Sequence, residues 1–365
     1  MSGLSVEEPV KKPFATVETG ALEPTLRAEG QPPYRVRQAF GHFWEGRVDS
    51  FAAMHTLPPG MRQRLEERFW FSTLEPVVRR EADRGRTVKY LLGLRDGQRI
   101  EMVLMRQDGS DDTRQRITLC VSSQVGCPIG CSFCATGQSG FDRNLTEAEI
   151  VDQLLLANRE LRRSGGALTN VVFMGMGEPM NNYQAVIRAI RRWARPQTLN
   201  FSPRRVTIST IGLLPSIERL SREGLPVNLA ISLHAPDDEL RSRLIPVNRK
   251  YPIASVVTAA RQHAERTGRR VSYEYVLLEG VNDSLEQAQR LAEVVGRRLA
   301  HVNLIPMNTV EGSGLRAPSR ARILAFQSVL QRAGVPTTVR VTRGLDIDAA
   351  CGQLRAREPQ LITRT

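Results

Sequence analysis

Apolar and polar positions divide the chain into stretches of different rhythm. Residues 1–33 are rich in Glu, Pro, Gly and Lys and show little periodicity, which reads as a mobile leader. From Tyr34 apolar residues return at helical spacing: Val36, Phe40, Phe43 and Trp44, then Phe51 and Met54. After Leu57-Pro-Pro-Gly60 they resume at Met61, Leu65, Phe69 and Trp70, predicting a small helical domain over 34–90. The runs Val88–Leu94, Arg99–Met105 and Arg116–Val121, with Asp96-Gly97 and Asp108-Gly109 between them, predict a β-meander.

Downstream, Thr146-x-x-Glu149 has capping-box spacing ahead of a helix whose apolar face carries Ile150, Val151, Leu154 and Leu155. The short strand Val171–Met174 then starts a regular alternation. Helices are predicted at Tyr183–Trp193, Leu214–Arg222, Ile253–Thr267, Leu285–Arg297 and Arg320–Ala333. The strands between and after them are Arg205–Ser209, Val227–Ser232, Val271–Leu277, Val302–Pro306 and Thr337–Val341. Such alternation implies an α/β fold with a parallel sheet and crossover helices over 91–354, followed by a basic tail, 355–365. Pattern alone does not separate a doubly wound sheet from a barrel. In both, sites gather at the carboxyl ends of the strands, where Gly175-Met-Gly-Glu-Pro179, Ser209, Ser232-Leu-His234 and Asn308 fall.

Composition narrows the class. At 365 residues, 41% hydrophobic and 24% charged, the chain reads as a globular protein of one large and one small domain. No apolar run reaches the roughly 18 residues of a membrane helix, and the start lacks a secretory h-region; the expectation is a cytoplasmic protein without a membrane partner. Net charge is +13, and residues 1–90 hold fourteen basic against twelve acidic side chains, so eleven charges of the excess lie beyond residue 90. Arg188, Arg191, Arg192, Arg195, Arg204 and Arg205, and later Arg340, Arg343, Arg355 and Arg357, are candidates for phosphate contact or solvated helix faces. Basic and aromatic residues also interleave over 34–90, as an RNA-gripping module or the aromatic core of a bundle would require.

Three of five cysteines, Cys127, Cys131 and Cys134, fall within eight residues with the spacing C-x3-C-x2-C. Thiolates so close select zinc or an iron–sulfur cluster. A closed zinc site needs a fourth ligand, and no His or Cys follows within thirty residues; Cys120 is the one local candidate. A [4Fe–4S] cluster on three cysteines keeps one iron open. Gly175-x-Gly177 is not a dinucleotide fingerprint, because Met180 stands where the third glycine should be. Two glycines at a strand end admit a ligand close to the backbone, and Glu178 offers a carboxylate to an amine.

The cysteine loop, with Phe133 between its last two cysteines, resembles the signature of radical S-adenosylmethionine (SAM) enzymes. Further words narrow the likeness: Cys120-Val-Ser-Ser-Gln-Val-Gly-Cys127, Ala-Thr-Gly137, Phe141-Asp-Arg-Asn-Leu145, Gly175-Met-Gly-Glu-Pro179, Ser232-Leu-His234 and Asp346-Ile-Asp-Ala-Ala-Cys351-Gly-Gln-Leu354. From about Arg35 to Leu354 the chain resembles the dual-specificity adenine-C2 methyltransferases of 23S ribosomal RNA and transfer RNA. The resemblance implies a partial (β/α) barrel with an accessory RNA-binding domain. It implies a [4Fe–4S] cluster on Cys127, Cys131 and Cys134, whose open iron chelates SAM. Gly177 and Glu178 would meet the SAM amino group, with Ser209, Ser232, Leu233, His234 and Asn308 as further SAM contacts. Two SAM molecules are used per turnover: one methylates Cys351, and the other yields the deoxyadenosyl radical. Glu101 matches the proton acceptor, and Cys120 forms a transient disulfide with Cys351.

The chemistry asks for this route. Adenine C2 is electron-poor and has no lone pair to take a methyl cation, whereas a carbon radical can add there; a thiolate is the natural methyl carrier. The expected partners are 23S rRNA, tRNA and a flavodoxin-like or ferredoxin-like electron donor, with the protein a monomer. Leu345 departs from the second acidic residue expected before Ile-Asp. Two rivals stand: the sister enzyme that methylates C8 of the same ribosomal adenine, and a non-catalytic RNA-binding protein with a structural metal cluster.

Overall fold

The computed structural model describes residues 11–356 apart from 29, 110–114, 309, 311 and 342. Lys12–Pro13 (β1) leads into Phe14, then come helices Thr19–Ala28 (α1), Pro33–Glu45 (α2) and Pro59–Arg68 (α3), and Phe69–Trp70 (β2) pairs in parallel with β1. Phe14 is wholly buried, with the rings of Phe40, Phe43, Phe51 and Phe69 at 5.0, 5.0, 5.2 and 5.5 Å. This corrects the expected leader: from residue 11 the segment is packed. Composition hid it because one fully buried aromatic, worth about 3 kcal/mol, outweighs polar neighbours that a window average counts equally. Most aromatics interleaved with arginines are likewise consumed by this core.

The next strands are Leu74–Ala82 (β3), Thr87–Leu94 (β4), Arg99–Gln107 (β5) and Arg116–Cys120 (β6), all antiparallel. β3 breaks the helical reading of 34–90. It is an edge strand, buried only at Leu74 and Ala82 and irregular between Pro76 and Val78, so it carries the charges and proline that disguise an edge. Gln124–Gly126 (β7) pairs with Phe141–Asn144 (β8), and Ala135–Gln138 (α4) lies between them. Glu147–Arg163 (α5) opens with the expected capping box on Thr146 and Glu149.

Then come Asn170–Phe173 (β9), Tyr183–Ala194 (α6), Val206–Thr210 (β10), Leu214–Arg222 (α7), Asn228–Ser232 (β11), Asp238–Leu244 (α8) and Ile253–Thr267 (α9). Val271–Leu277 (β12), Leu285–Val295 (α10), Ala300–Pro306 (β13), Arg320–Arg332 (α11) and Thr337–Val339 (β14) complete the series. The sheet has ten strands in the order β3-β4-β5-β6-β9-β10-β11-β12-β13-β14, parallel from β6 to β14. No ladder joins β14 to β3 among the described residues, and the sheet curls round a cavity of about 960 Å³ lined from β5, β6 and β9 to β14. This is a partial barrel. Among the described residues no helix is long and apolar enough to cross a membrane.

A buried histidine tests the packing of α7 on α9. His263 is almost fully buried, its Nδ1 is 3.0 Å from Ser221 Oγ, and burial, then Arg269, pushes its pKa down to about 4. The unfolded chain therefore takes up a proton between pH 6.5 and 4 that the folded one refuses, so stability is full above 6.5 and falls with pH. Relative to His263→Asn, the wild type is expected to lose roughly 1–2 kcal/mol between pH 8 and 5 in urea titrations. A pH-independent difference would show that the buried ring protonates freely.

Candidate active site

The cluster loop is built by the β7–β8 hairpin. Gly126 takes a φ of 73°, where a Cβ would collide with the Gly140 carbonyl, and the Cys127 N–H then donates to Gly140 O at 2.7 Å. At the other end Ser132 N–H donates to Leu244 O at 3.1 Å and the Phe133 ring meets the His234 ring edge-on at 4.8 Å. Burial pushes all three thiols up, Cys127 to about 12. Next in effect for Cys131 are the neighbouring sulfurs of Cys134 and Cys127, so the three face one buried space. As free thiolates they would repel one another, which is the condition a metal centre relieves.

Among the described residues no three His, Cys, Asp or Glu side chains converge on a single ion. Tetrahedral zinc would draw the sulfurs to about 3.8 Å from one another. A cube ligated at three corners spans a wider triangle and keeps one iron open, and three thiols on one loop without a fourth ligand beside them are the donor set that such a [4Fe–4S] cluster takes.

Beside the loop lie the carboxyl ends of β9, β10 and β11. Gly175 and Gly177 are required here by the chain itself: a Cβ on Gly175 would lie 2.7 Å from Val121 O, and one on Gly177, with φ 101°, 2.6 Å from Gln124 Cβ. The chain's own strand exit fills that space. The turn aims Glu178 inward, its carboxylate accepting from Met180 N at 3.0 Å and Ile211 N at 2.9 Å, and burial pushes its pKa up to about 7. Ser209 Oγ and Ser232 Oγ are 3.3 Å apart and Leu233 is fully buried. His234, at φ 61°, accepts from Val276 N through Nδ1 at 2.9 Å, and burial, then Arg241, pushes its pKa down to about 3. The ring is neutral.

Sequence reasoning missed Arg241, the residue that binds these ends together. Fully buried, it donates to Ile211 O at 2.6 Å, Leu233 O at 3.0 Å, Ser232 O at 3.2 Å and Asn248 Oδ1 at 2.7 Å. Nothing in its surroundings in sequence marks it, because most of its partners are backbone carbonyls, which any residue supplies.

Cys351 lies on a strap that crosses from β14 towards the meander. Gly344 packs on Thr87, Lys89 Nζ donates to Asp348 O at 3.2 Å, and Asn308 Nδ2 donates to Cys351 O at 3.0 Å. Ala135 N donates to Gly352 O at 2.7 Å, and Thr136 Oγ1 to Leu354 O at 2.6 Å, so the strap is fastened directly to the cluster loop. Cys351, Cys120 and Asn308 line the barrel cavity together with Arg340, whose pKa is pushed up chiefly by the nearby Cys351 sulfur. Burial, then the Cys351 sulfur, pushes Cys120 up to about 12. All five cysteines are free thiols, so the expected Cys120–Cys351 disulfide is not formed here.

Glu101 is close to the strap but turned from the cavity lining. Its carboxylate pairs with Lys89 Nζ at 3.0 Å and accepts from Arg355 N at 2.8 Å. The α6 arginines serve internal pairs: Arg192 with Glu147 at 2.5 Å and Glu18 at 3.1 Å, Arg195 with Glu18 at 2.6 Å, Arg191 with Glu223 at 2.5 Å and Arg188 with Glu147 at 3.2 Å. Arg357 and the tail beyond it lie outside the described residues, as do residues 1–10.

Comparison with known proteins agrees with this geometry. The radical SAM superfamily profile matches residues 121–292. The "Dual-specificity RNA methyltransferase RlmN" of Syntrophobacter fumaroxidans is 47% identical over 92% of this chain and 95% of its own length. The "Probable dual-specificity RNA methyltransferase RlmN" of Moorella thermoacetica is 48% identical over 91% of this chain and 94% of its own. The crystal structure of a radical SAM methyltransferase from Sphaerobacter thermophilus superposes with a TM-score of 0.89 at 47% identity, covering 95% of this chain and 100% of that one.

Proposed function

Since the chain belongs to the RlmN dual-specificity RNA methyltransferases, which are radical SAM enzymes, we propose that it forms 2-methyladenosine in 23S rRNA and tRNA with Cys351 as methyl carrier. The observation that carries this reading is the fastening of the Cys351 strap to the cluster loop, with Cys351, Cys120 and Arg340 on one cavity. Cys127, Cys131 and Cys134 would hold the [4Fe–4S] cluster. When bound, cluster and SAM supply the 5′-deoxyadenosyl radical that takes a hydrogen atom from the carrier's methyl group.

The chain's own groups do the rest. Gly177, Glu178, Ser209, Ser232, Leu233, His234 and Asn308 are assigned to SAM. Cys351 attacks the methyl of a first SAM through its sulfur, leaving S-adenosylhomocysteine, and delivers the carbon to adenine C2 once its S-methyl group has given up a hydrogen atom to the radical derived from a second SAM. Glu101 is assigned removal of the C2 proton, which requires Lys89 and Arg355 N to yield its carboxylate. Cys120 releases the product by a transient disulfide with Cys351. Residues 34–90 are assigned an accessory RNA grip, and the enzyme is read as a cytoplasmic monomer fed by a flavodoxin-like or ferredoxin-like donor.

Anaerobically reconstituted protein with SAM, a reductant and RNA tests this. Digested RNA is expected to contain 2-methyladenosine, and 5′-deoxyadenosine is expected in the supernatant. An 8-methyl product would move the assignment to the sister enzyme. Absence of deoxyadenosine from iron-loaded protein would favour the non-catalytic RNA binder.

A further inference from the structure

The side chain of one buried carboxylate, Glu274, has no part in the cluster loop, the SAM wall or the strap. Glu274 stands on β12 with Ser232 of β11 and Asn303 of β13 as its ladder neighbours. It is 5% exposed and lines the barrel cavity with Cys351, Arg340 and Asn308. An ordinary (β/α) barrel fills its interior layers with bulky branched residues, and a carboxylate is costly there unless something pairs with it. Burial pushes the Glu274 pKa up, and Asn303 and then Arg340 pull it back.

The carboxylate is held from one side. Asn303 Nδ2 donates to Glu274 Oε2 at 2.7 Å, and Thr338 Oγ1 donates to Asn303 Oδ1 at 3.1 Å, which fixes the orientation of the amide. His301 Nε2, 3.2 Å from the same hydroxyl, extends the row. Among the described residues no hydrogen bond or ion pair takes the other oxygen, Oε1. A built row of side chains therefore ends in an acceptor that faces the cavity.

Arg340 relates this acceptor to the carrier thiol. Its N–H donates to Leu304 O at 2.8 Å, and Leu304 pairs with Tyr275, the residue after Glu274. The Cys351 sulfur first, and Glu274 further, push the Arg340 pKa up, so the cation neighbours both. The wall thus presents a sulfur, a donor and an acceptor. Along one edge of adenine lie carbon 2, the acceptor N1 and the 6-amino donor, and guanine reverses the donor and acceptor at the last two positions.

We propose that Glu274 is the residue that selects adenine: its Oε1 accepts a hydrogen from the 6-amino group while carbon 2 faces Cys351 and Arg340 donates to N1. The proposal rests on the adenine-C2 reading above and adds the group that recognises the base. A 6-oxo purine would set its oxygen against the carboxylate, an unpaired buried acceptor pair that the site rejects.

The test uses full-length, cluster-loaded protein, SAM, a reductant and two RNA hairpins, one with a loop adenosine and one with purine riboside, which lacks the amino group, at the same place. In the wild type, kcat/KM for the 2-methyl product should fall at least ~10-fold on loss of the amino group. Glu274→Ala should lose a similar factor on adenosine and make the two hairpins nearly equal. The ratio is taken within one preparation, so a loss of folded protein cancels. In Glu274→Gln the Asn303 donor takes the amide oxygen and leaves an NH2 towards the cavity, so the preference should not return.

A wild type indifferent to the amino group, or a Glu274→Ala or Glu274→Gln variant that keeps the wild-type preference, overturns the role of Glu274 and leaves the methyltransferase reading intact. A Glu274→Ala loss of methyl label on the Cys351 peptide as large as the loss on RNA overturns it too, by assigning the carboxylate to SAM. Wild-type protein that methylates neither hairpin overturns both.

Discussion

Cys351→Ala is expected to lower RNA methylation by roughly a million-fold, to the detection floor, as removal of a covalent nucleophile does in other enzymes. The side chain is half-buried, and the strap's bonds are made by backbone groups, Cys351 O to Asn308 and Gly352 O to Ala135. Stability should therefore change by no more than about 1 kcal/mol. Labelled methyl from SAM, followed into both peptide and RNA, gives the readout. In the wild type one methyl should appear on the Cys351 peptide; in the variant neither peptide nor RNA should carry label. Persisting RNA label would remove the carrier role, however well the strap is placed.

Arg241→Met should give the largest loss of stability of any single substitution considered for this chain. The methionine fills similar volume, but the carbonyls of Ile211, Ser232 and Leu233 lose a charged donor inside the protein. At 1–3 kcal/mol for each buried acceptor left unsatisfied, the cost is about 5 kcal/mol, a large part of the 5–15 kcal/mol that holds a domain together. Guanidinium denaturation measures it. Arg241→Lys should recover little, since an ammonium cannot span the fork of partners that the planar guanidinium reaches. Undiminished stability in the methionine variant would mean that those carbonyls find other donors.

Much of this molecule is legible in its residues. The crossover helices Leu214–Arg222 and Ile253–Thr267 and the strand Val271–Leu277 coincide with their apolar periodicity to the residue. The Thr146 capping box is formed as written. Signals of this sort are local, and local patterns survive in one dimension. What escaped reading depends on partners distant in sequence. β3 is an exposed edge defined by pairing with β4, Phe14 is placed by residues up to fifty-five positions on, Arg241 reaches back to the carbonyl of Ile211, and Arg340 lies beside the sulfur of a later segment. The glycines of Gly175-Met-Gly177 have a reason the motif does not show: crowding by Val121 and Gln124 already requires them.

The bond between Thr136 and the carbonyl of Leu354 joins residues 218 positions apart. During synthesis the cysteine loop emerges long before the segment that closes over it. At 5–20 residues per second the loop waits on the order of ten seconds or more without that cover, an interval in which metal loading meets an open pocket and after which the strap shuts the door.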